Sequence, residues 1–62
     1  MKATVENHGT IFLVRPHTEE TEDWLHEMVQ SDAQWFAGAL VVEHRYIHDL
    51  VGGMQNAGIE VE

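Results

Sequence analysis

Cysteine is absent from this chain of 62 residues, and serine and proline each occur only once. Without cysteine, neither a disulfide nor a thiolate metal site can stabilise the fold. Ser31 is the single serine, and no glycine-rich phosphate loop precedes either predicted helix. The sequence therefore predicts a non-catalytic protein that carries no cofactor.

Long apolar runs are also missing. The longest, "WFAGALVV", has about eight residues, whereas a helix needs about 20 to span a bilayer. The N-terminal residues contain no apolar signal region. We expect one small, soluble cytoplasmic domain over residues 1–62, with no membrane contact.

Positive charge is scarce, since Lys2, Arg15 and Arg45 face eleven acids and leave a formal net charge of −8. Such a surface repels nucleic acids and anionic membranes, because binding to either depends on clustered lysine and arginine. It attracts basic protein surfaces. The alternative interpretation is that the acidity serves solubility alone.

Hydrophobic periodicity predicts four strands and two helices. Gly9 can supply the positive φ of a hairpin turn before an apolar strand over residues 11–15. Pro16 should end the pairing because it has no amide hydrogen. Residues 39–43 form another strand that is apolar on both faces, and "IEVE" forms a short edge strand at the end of the chain.

The helices are expected over residues 19–30 and 44–57. Thr18 is the predicted N-cap of the first helix, and Gly58 with Ile59 fits a Schellman ending of the second. Trp24, Leu25 and Met28 share the apolar face of the first helix.

These elements predict an α/β (α+β) two-layer sandwich in the order β-β-α-β-α-β. Two crossovers of the same hand place both helices on one face of a mixed, four-stranded sheet. The other sheet face is also apolar, so it is either covered by the Trp35–Phe36 segment or used in association. We predict that a homodimer, if formed, uses the face that carries Phe12 and Val14.

The main candidate site is a stripe of acids on the first helix. Glu19, Asp23 and Glu27 lie one turn apart, and like charges at this spacing destabilise a helix. Trp35 and Phe36 either close the core, the interpretation we favour, or form an exposed anchor of the kind that dominates binding interfaces. The predicted partner-binding residues are Glu19, Glu20, Asp23, Glu27, Trp35 and Phe36.

Five histidines raise the question of a metal site. His44 and His48 are four residues apart and can face one ion from the same side of a helix. The HExxH pattern is absent, however, and histidines on such a surface are more often solvent-facing polar residues than metal ligands. No metal is expected, and His44 and His48 are only weak candidate ligands.

The strings "GTIFLVRP" and "DAQWFAGALVVEHRY" resemble a family of short, uncharacterised bacterial and phage-associated proteins. The resemblance extends from about residue 9 to residue 58 and brings no catalytic motif. In size and acidity the chain also looks like small phage-encoded inhibitors such as the anti-CRISPR proteins. That likeness implies a protein that presents acids to a nucleic-acid-binding groove.

Three functions follow, in order of preference. The first is an acidic protein-interaction module that occupies a basic, nucleic-acid-binding surface of its partner as a nucleic-acid mimic. The second is a self-associating structural or regulatory domain that uses an apolar sheet face. The third is metal binding through histidine.

Overall fold

Two antiparallel strands joined by a tight turn begin the chain. In the computed structural model, which describes residues 1–62, β1 spans Lys2–Asn7 and β2 spans Ile11–Pro16. Gly9 has a φ of 89°, and its amide donates to the Asn7 side chain at 2.9 Å. Pro16 is the last residue of β2 and lies opposite Ala3, but it does not end the pairing, because the His17 amide still donates to the Lys2 carbonyl at 2.9 Å.

Helix α1 spans Glu19–Met28 and begins at the predicted cap. The Thr18 hydroxyl accepts the Thr21 amide hydrogen at 3.2 Å, which satisfies one of the free amides of the first turn. The helix ends two residues earlier than expected because Val29 has extended backbone angles, φ −98° and ψ 162°. Met28 was expected on the buried side, but its side chain is exposed.

A second hairpin replaces the predicted connector. Strand β3 spans Trp35–Phe36 and pairs with β4, which spans Ala39–Glu43. Ala37 and Gly38 form the turn with φ values of 51° and 82°, so both residues are left-handed as a type I′ turn requires. The expectation of four strands was therefore one too few.

Helix α2 spans His44–Asn56 and ends in the predicted Schellman motif. The Ile59 amide donates to the Met54 carbonyl at 2.9 Å and the Gly58 amide to the Gln55 carbonyl at 3.0 Å. Gly58 has the positive φ, 85°, that this ending needs. The chain then closes with β5, Glu60–Val61, which pairs in parallel with β1.

The five strands form one mixed sheet in the order β3-β4-β2-β1-β5. Leu25 from α1 and Met54 from α2 join one buried cluster with side chains from a single face of the sheet. Both helices therefore cover the same face. The predicted two-layer α+β class is confirmed, with the element order β-β-α-β-β-α-β.

The covered face of the sheet is the one that carries Phe12 and Val14. Val14 is fully buried and pairs with Leu40, while Phe12 pairs with Val42, and all of these except Phe12 belong to the core cluster. The prediction of a dimer through Phe12 and Val14 is therefore wrong about the face. The uncovered side, which we call the outer face, carries Ile11 and Leu13 instead, because side chains alternate along a strand.

Candidate functional site

Helix α1 presents five acids to solvent. Glu19, Glu20 and Glu22 lie in the first turn, where carboxylates interact favourably with the positive end of the helix dipole. Asp23 and Glu27 continue along the exposed side, and all five side chains are exposed. The spacing expected from the sequence thus produces a continuous stripe opposite the buried Leu25.

The cations of the chain all lie elsewhere, and each one is paired. Lys2 Nζ lies 3.1 Å from a Glu62 carboxylate oxygen and 4.0 Å from one of Glu60. Arg15 Nε donates to Glu6 at 3.2 Å. Arg45 Nε lies 3.7 Å from Glu43. No lysine or arginine forms an ion pair with an acid of α1.

The net charge is consequently divided unevenly between the two sides of the molecule. Three cations and the four acids that pair with them sum to −1: Lys2 and Arg15 lie on the strands, and Arg45, the second residue of α2, pairs with Glu43 at the end of β4. The remaining seven acids have no cation and account for −7 of the total of −8. We call these seven the acidic layer: Glu19, Glu20, Glu22, Asp23, Glu27, Asp32 and Asp49, all exposed on the helices or on the connector after α1.

Two of the paired groups on the strand side have shifted pKa values. The hydrogen bond from Arg15 and a second one from His8 lower the pKa of Glu6 below its ordinary value. The hydrogen bond to Glu62, with the charges of Glu62 and Glu60, raises the pKa of Lys2. Both shifts favour the charged forms of Glu6 and Lys2, the forms in which each can pair with an opposite charge.

The two aromatic side chains of β3 point to opposite faces of the sheet. Trp35 is half-buried against the core, and its ring stacks on His26 of α1 with centroids 4.2 Å apart. Phe36 is 64% exposed, so the interpretation that both rings close the core is wrong for Phe36. The structure thus brings Trp35 to the acid-bearing helix, together with Glu19, Glu20, Asp23 and Glu27, and places Phe36 on the outer face.

The weak metal candidates are both exposed on α2. His44 is the first residue of the helix and His48 follows one turn later. No group of three or more histidine, aspartate or glutamate side chains is arranged to hold a metal ion. The metal-binding hypothesis gains no ligand set from the fold.

Comparison with known proteins adds no relative. No protein-family model, no curated protein and no solved structure matches this chain. The resemblance to phage-associated proteins and to anti-CRISPR inhibitors therefore stays a prediction. No helix is both long enough and apolar enough to cross a membrane.

An open groove of about 800 Å³ on the outer face was not predicted from the sequence. Its apolar lining comes from Ile11, Leu13, Phe36 and Val41 on the outer face, and Trp35 borders it from the edge strand β3. Leu13 and Val41 are paired across β2 and β4, which places them side by side in the centre of the face. The continuous apolar run in each of these strands was the available signal, but it does not indicate which face of the sheet the helices will cover.

Arg15 crosses the outer face beside this groove. Its Nε binds Glu6 of β1, and its Nη1 donates to the Ala37 carbonyl at 3.0 Å. One side chain therefore ties the first hairpin to the turn of the second. The sequence offered no sign of this role, because Arg15 and Ala37 are 22 residues apart.

Proposed function

We propose that the protein is a non-catalytic interaction module whose acidic layer binds a basic protein surface. The observation that carries the proposal is the uneven charge: the seven acids of the acidic layer form no ion pair, and the one cation on the helices, Arg45, pairs with Glu43 instead. Acidity that served solubility alone would not require such a division. A field of one sign over one side attracts and orients an oppositely charged partner.

The spacing of the stripe suggests the kind of partner. Glu19, Asp23 and Glu27 recur every four residues, which is about 6 Å along the helix axis. That distance is of the same order as the spacing of phosphates along a nucleic-acid strand. A basic groove that normally holds nucleic acid would therefore accept this helix as a mimic, and the protein would act as an inhibitor of the anti-CRISPR type.

The energetics favour a neutralising partner. Like charges at i, i+4 destabilise an isolated helix by about 0.2–0.5 kcal/mol per pair, and the stripe contains two such pairs. A basic surface relieves this repulsion on binding. Trp35, stacked on His26 of the same helix, supplies an aromatic group next to the acids.

A charge-matched pair of variants tests the proposal. The acidic-layer variant combines Glu19→Gln, Asp23→Gln and Glu27→Gln. The strand-side variant combines Glu43→Gln, Glu60→Gln and Glu62→Gln, and it removes the same three charges from the side where the cations lie. Each protein is immobilised and exposed to a bacterial lysate at about 50 and about 500 mM salt, so that screening is weak or strong.

We expect the wild type and the strand-side variant to retain the same basic proteins at low salt, and the acidic-layer variant to lose them. High salt should release them from all three proteins. Added single- or double-stranded nucleic acid should displace a partner that the protein binds as a mimic. Equal retention by both variants would refute a localised acidic site and leave solubility as the role of the charge.

A further inference from the structure

The outer face is apolar at its centre and has no covering layer. Leu13 and Val41 lie side by side there, with Ile11 next to Leu13 along β2. Phe36 stands at one edge of the face with most of its ring in water. Both helices are on the opposite side of the sheet, so only side chains of the strands and turns cover the outer face. Leu13 is left 6% exposed, and Ile11 and Val41 are partly exposed.

The same face is almost electrically neutral. The charged residues of the strands, Glu6 and Arg15 among them, are paired, and the paired groups, with Arg45 of α2 included, sum to −1. Two copies that approached through their helices would bring seven unpaired acids against seven. Two copies that approached through their outer faces would keep the acidic layers on the far sides of the pair.

Distance makes that arrangement electrostatically acceptable. The shortest dimension of one copy is 18 Å, so the two acidic layers would be separated by roughly two such thicknesses. The Debye length at physiological salt is about 8 Å, which is far shorter. The acidic layers of two back-to-back copies would therefore be screened from each other.

The available area sets the strength of such a contact. The strands contain 21 residues in all, and at about 3.3 Å per residue and about 4.8 Å between strands they give the face a projected area of about 330 Å² before side-chain relief is added. A standard interface buries about 800 Å² per partner, about a fifth of the 4210 Å² accessible surface of this chain. The whole outer face therefore has to be buried in the contact. Because the face is small compared with a standard interface, we expect a weak dimer whose population depends on protein concentration.

We propose that the outer face is the interface of a symmetric homodimer, in which Phe36 of each copy packs into the groove formed by Ile11, Leu13 and Val41 of the other. A two-fold axis requires such a self-complementary surface, with a projecting group and a recess on the same face. The dimer displays two acidic layers in opposite directions. This proposal is independent of the proposed function, because it uses the other side of the molecule.

The test is sedimentation equilibrium from about 1 µM to about 1 mM protein, a range chosen for a contact of this modest area. Phe36→Ser removes the projecting ring, and Val41→Thr keeps the shape of a groove residue while adding a hydroxyl. Met28→Ser is the matched control, because Met28 is 61% exposed, close to the 64% of Phe36, but lies on α1. Circular dichroism verifies that each variant is folded.

We expect the wild type to approach twice the chain mass of 7.1 kDa at high concentration. Phe36→Ser and Val41→Thr should each raise the dimer dissociation constant, the former about tenfold or more, as loss of a central aromatic contact does. Met28→Ser should change it less than about twofold, since exposed side chains outside an interface contribute little. Raising the salt concentration should leave dimerisation intact or strengthen it, because salt screens the repulsion between two acidic chains.

A chain that stays monomeric at about 1 mM in high salt, where repulsion is screened, would overturn the proposal. A folded Phe36→Ser variant that dimerises as well as the wild type would also overturn it. The same holds if Met28→Ser raises the dimer dissociation constant as much as Phe36→Ser does. None of these results bears on the acidic layer, whose own test uses different residues and the opposite response to salt.

Discussion

Ala37 is the one residue other than glycine whose backbone adopts a positive φ, 51°. A left-handed conformation costs an ordinary residue about 1 kcal/mol, whereas asparagine and glycine tolerate it. The adjacent Gly38 completes a type I′ turn, for which Asn-Gly is the preferred pair.

Ala37→Asn should therefore raise the free energy of unfolding by about 0.5–1 kcal/mol. The hydrogen bond from Arg15 is retained because it is accepted by the backbone carbonyl of residue 37. Urea denaturation measures the change as a higher midpoint with an unchanged m-value. Ala37→Val serves as the opposite control, since a β-branched residue is strained at this φ, and equal stability of both variants would contradict the assigned turn.

Glu6 gives the stability of this protein a specific dependence on pH. Its pKa is lowered in the folded state by the hydrogen bonds from Arg15 and His8, so the unfolded chain binds more protons as the pH falls. The resulting stabilisation is present above the unfolded pKa and is lost as the pH falls through the folded pKa. The raised pKa of Lys2 acts in the opposite range, because its contribution disappears as alkaline pH exceeds the folded value.

Glu6→Gln should therefore be less stable than the wild type near neutral pH, and the difference should shrink as the pH is lowered from about 6 to about 3. Thermal melts of both proteins across this range measure it. Asp32→Asn, which removes an unpaired exposed acid, is the control and should show no such convergence. A constant difference between Glu6→Gln and the wild type would show that the Arg15 pair does not hold in solution.

Local residue roles were predictable from the sequence, and long-range ones were not. Thr18, Gly9 and Gly58 act through hydrogen bonds and φ angles within a few residues, so turn and cap chemistry predicts them. The contacts of Arg15 depend on the register of three strands. Only the fold determines that register.

At the scale of the elements, α2 contains two adjacent glycines, and no neighbouring atom lies close enough to either of them to exclude a larger residue. A Cβ added at Gly52 would meet no atom within 4 Å, and one at Gly53 would meet Trp24 Cη2 at 3.9 Å, an ordinary contact. Both positions lie in the interior of the helix, where glycine is about 1 kcal/mol less favourable than alanine.

Gly52→Ala should therefore stabilise the fold by about 1 kcal/mol, which corresponds to an increase in melting temperature of about 4–8 °C for a domain of this size. Gly58→Ala provides the contrast and should destabilise the fold, because the Schellman ending needs the φ of 85° found there. Differential scanning calorimetry of both variants measures the two effects. A destabilised Gly52→Ala would mean that α2 is not continuous through residue 52 in solution.

The long elements were predicted to within a few residues because their apolar periodicity extends over several turns. Strand β3 was missed because two residues, Trp35–Phe36, are too few to show an alternation. In β2, apolar residues on both faces show that there are two apolar surfaces without indicating which one the helices cover. That choice depends on the handedness and packing of the crossovers, which is why the dimer prediction named Phe12 and Val14 instead of Ile11 and Leu13.

At the scale of the whole molecule, composition predicts the net charge but not its distribution. Eleven acids and three cations are visible in the sequence, and the acidic stripe of α1 follows from helical spacing. The pairing of Lys2 with Glu62 and of Arg15 with Glu6 follows only from the fold, whereas Arg45 at the start of α2 pairs with its near neighbour Glu43. The result is a molecule with an acidic side and an almost neutral, apolar side, each suited to a different kind of contact.

These two sides would act together if both proposals hold. A dimer formed through the outer faces would present two acidic layers and could engage two basic surfaces at once. Linked binding of that kind raises the apparent affinity without any new contact. Phe36→Ser should then weaken binding to a partner with two basic sites more than it weakens binding to a partner with one basic site.

The most direct test of the acidic layer is a comparison of two charge-matched variants against one defined basic probe. The measurement is isothermal titration calorimetry with decalysine at about 50 mM salt, where screening is weak. One protein is the acidic-layer variant, with Glu19→Gln, Asp23→Gln and Glu27→Gln. The other is the strand-side variant, with Glu43→Gln, Glu60→Gln and Glu62→Gln. Each lacks three of the eleven acids. The uneven charge predicts that the first binds the peptide at least about tenfold more weakly than the second, since it alone loses charge from the field that attracts the probe. Equal dissociation constants would show that only the total charge matters, and would contradict a localised binding surface on the helices.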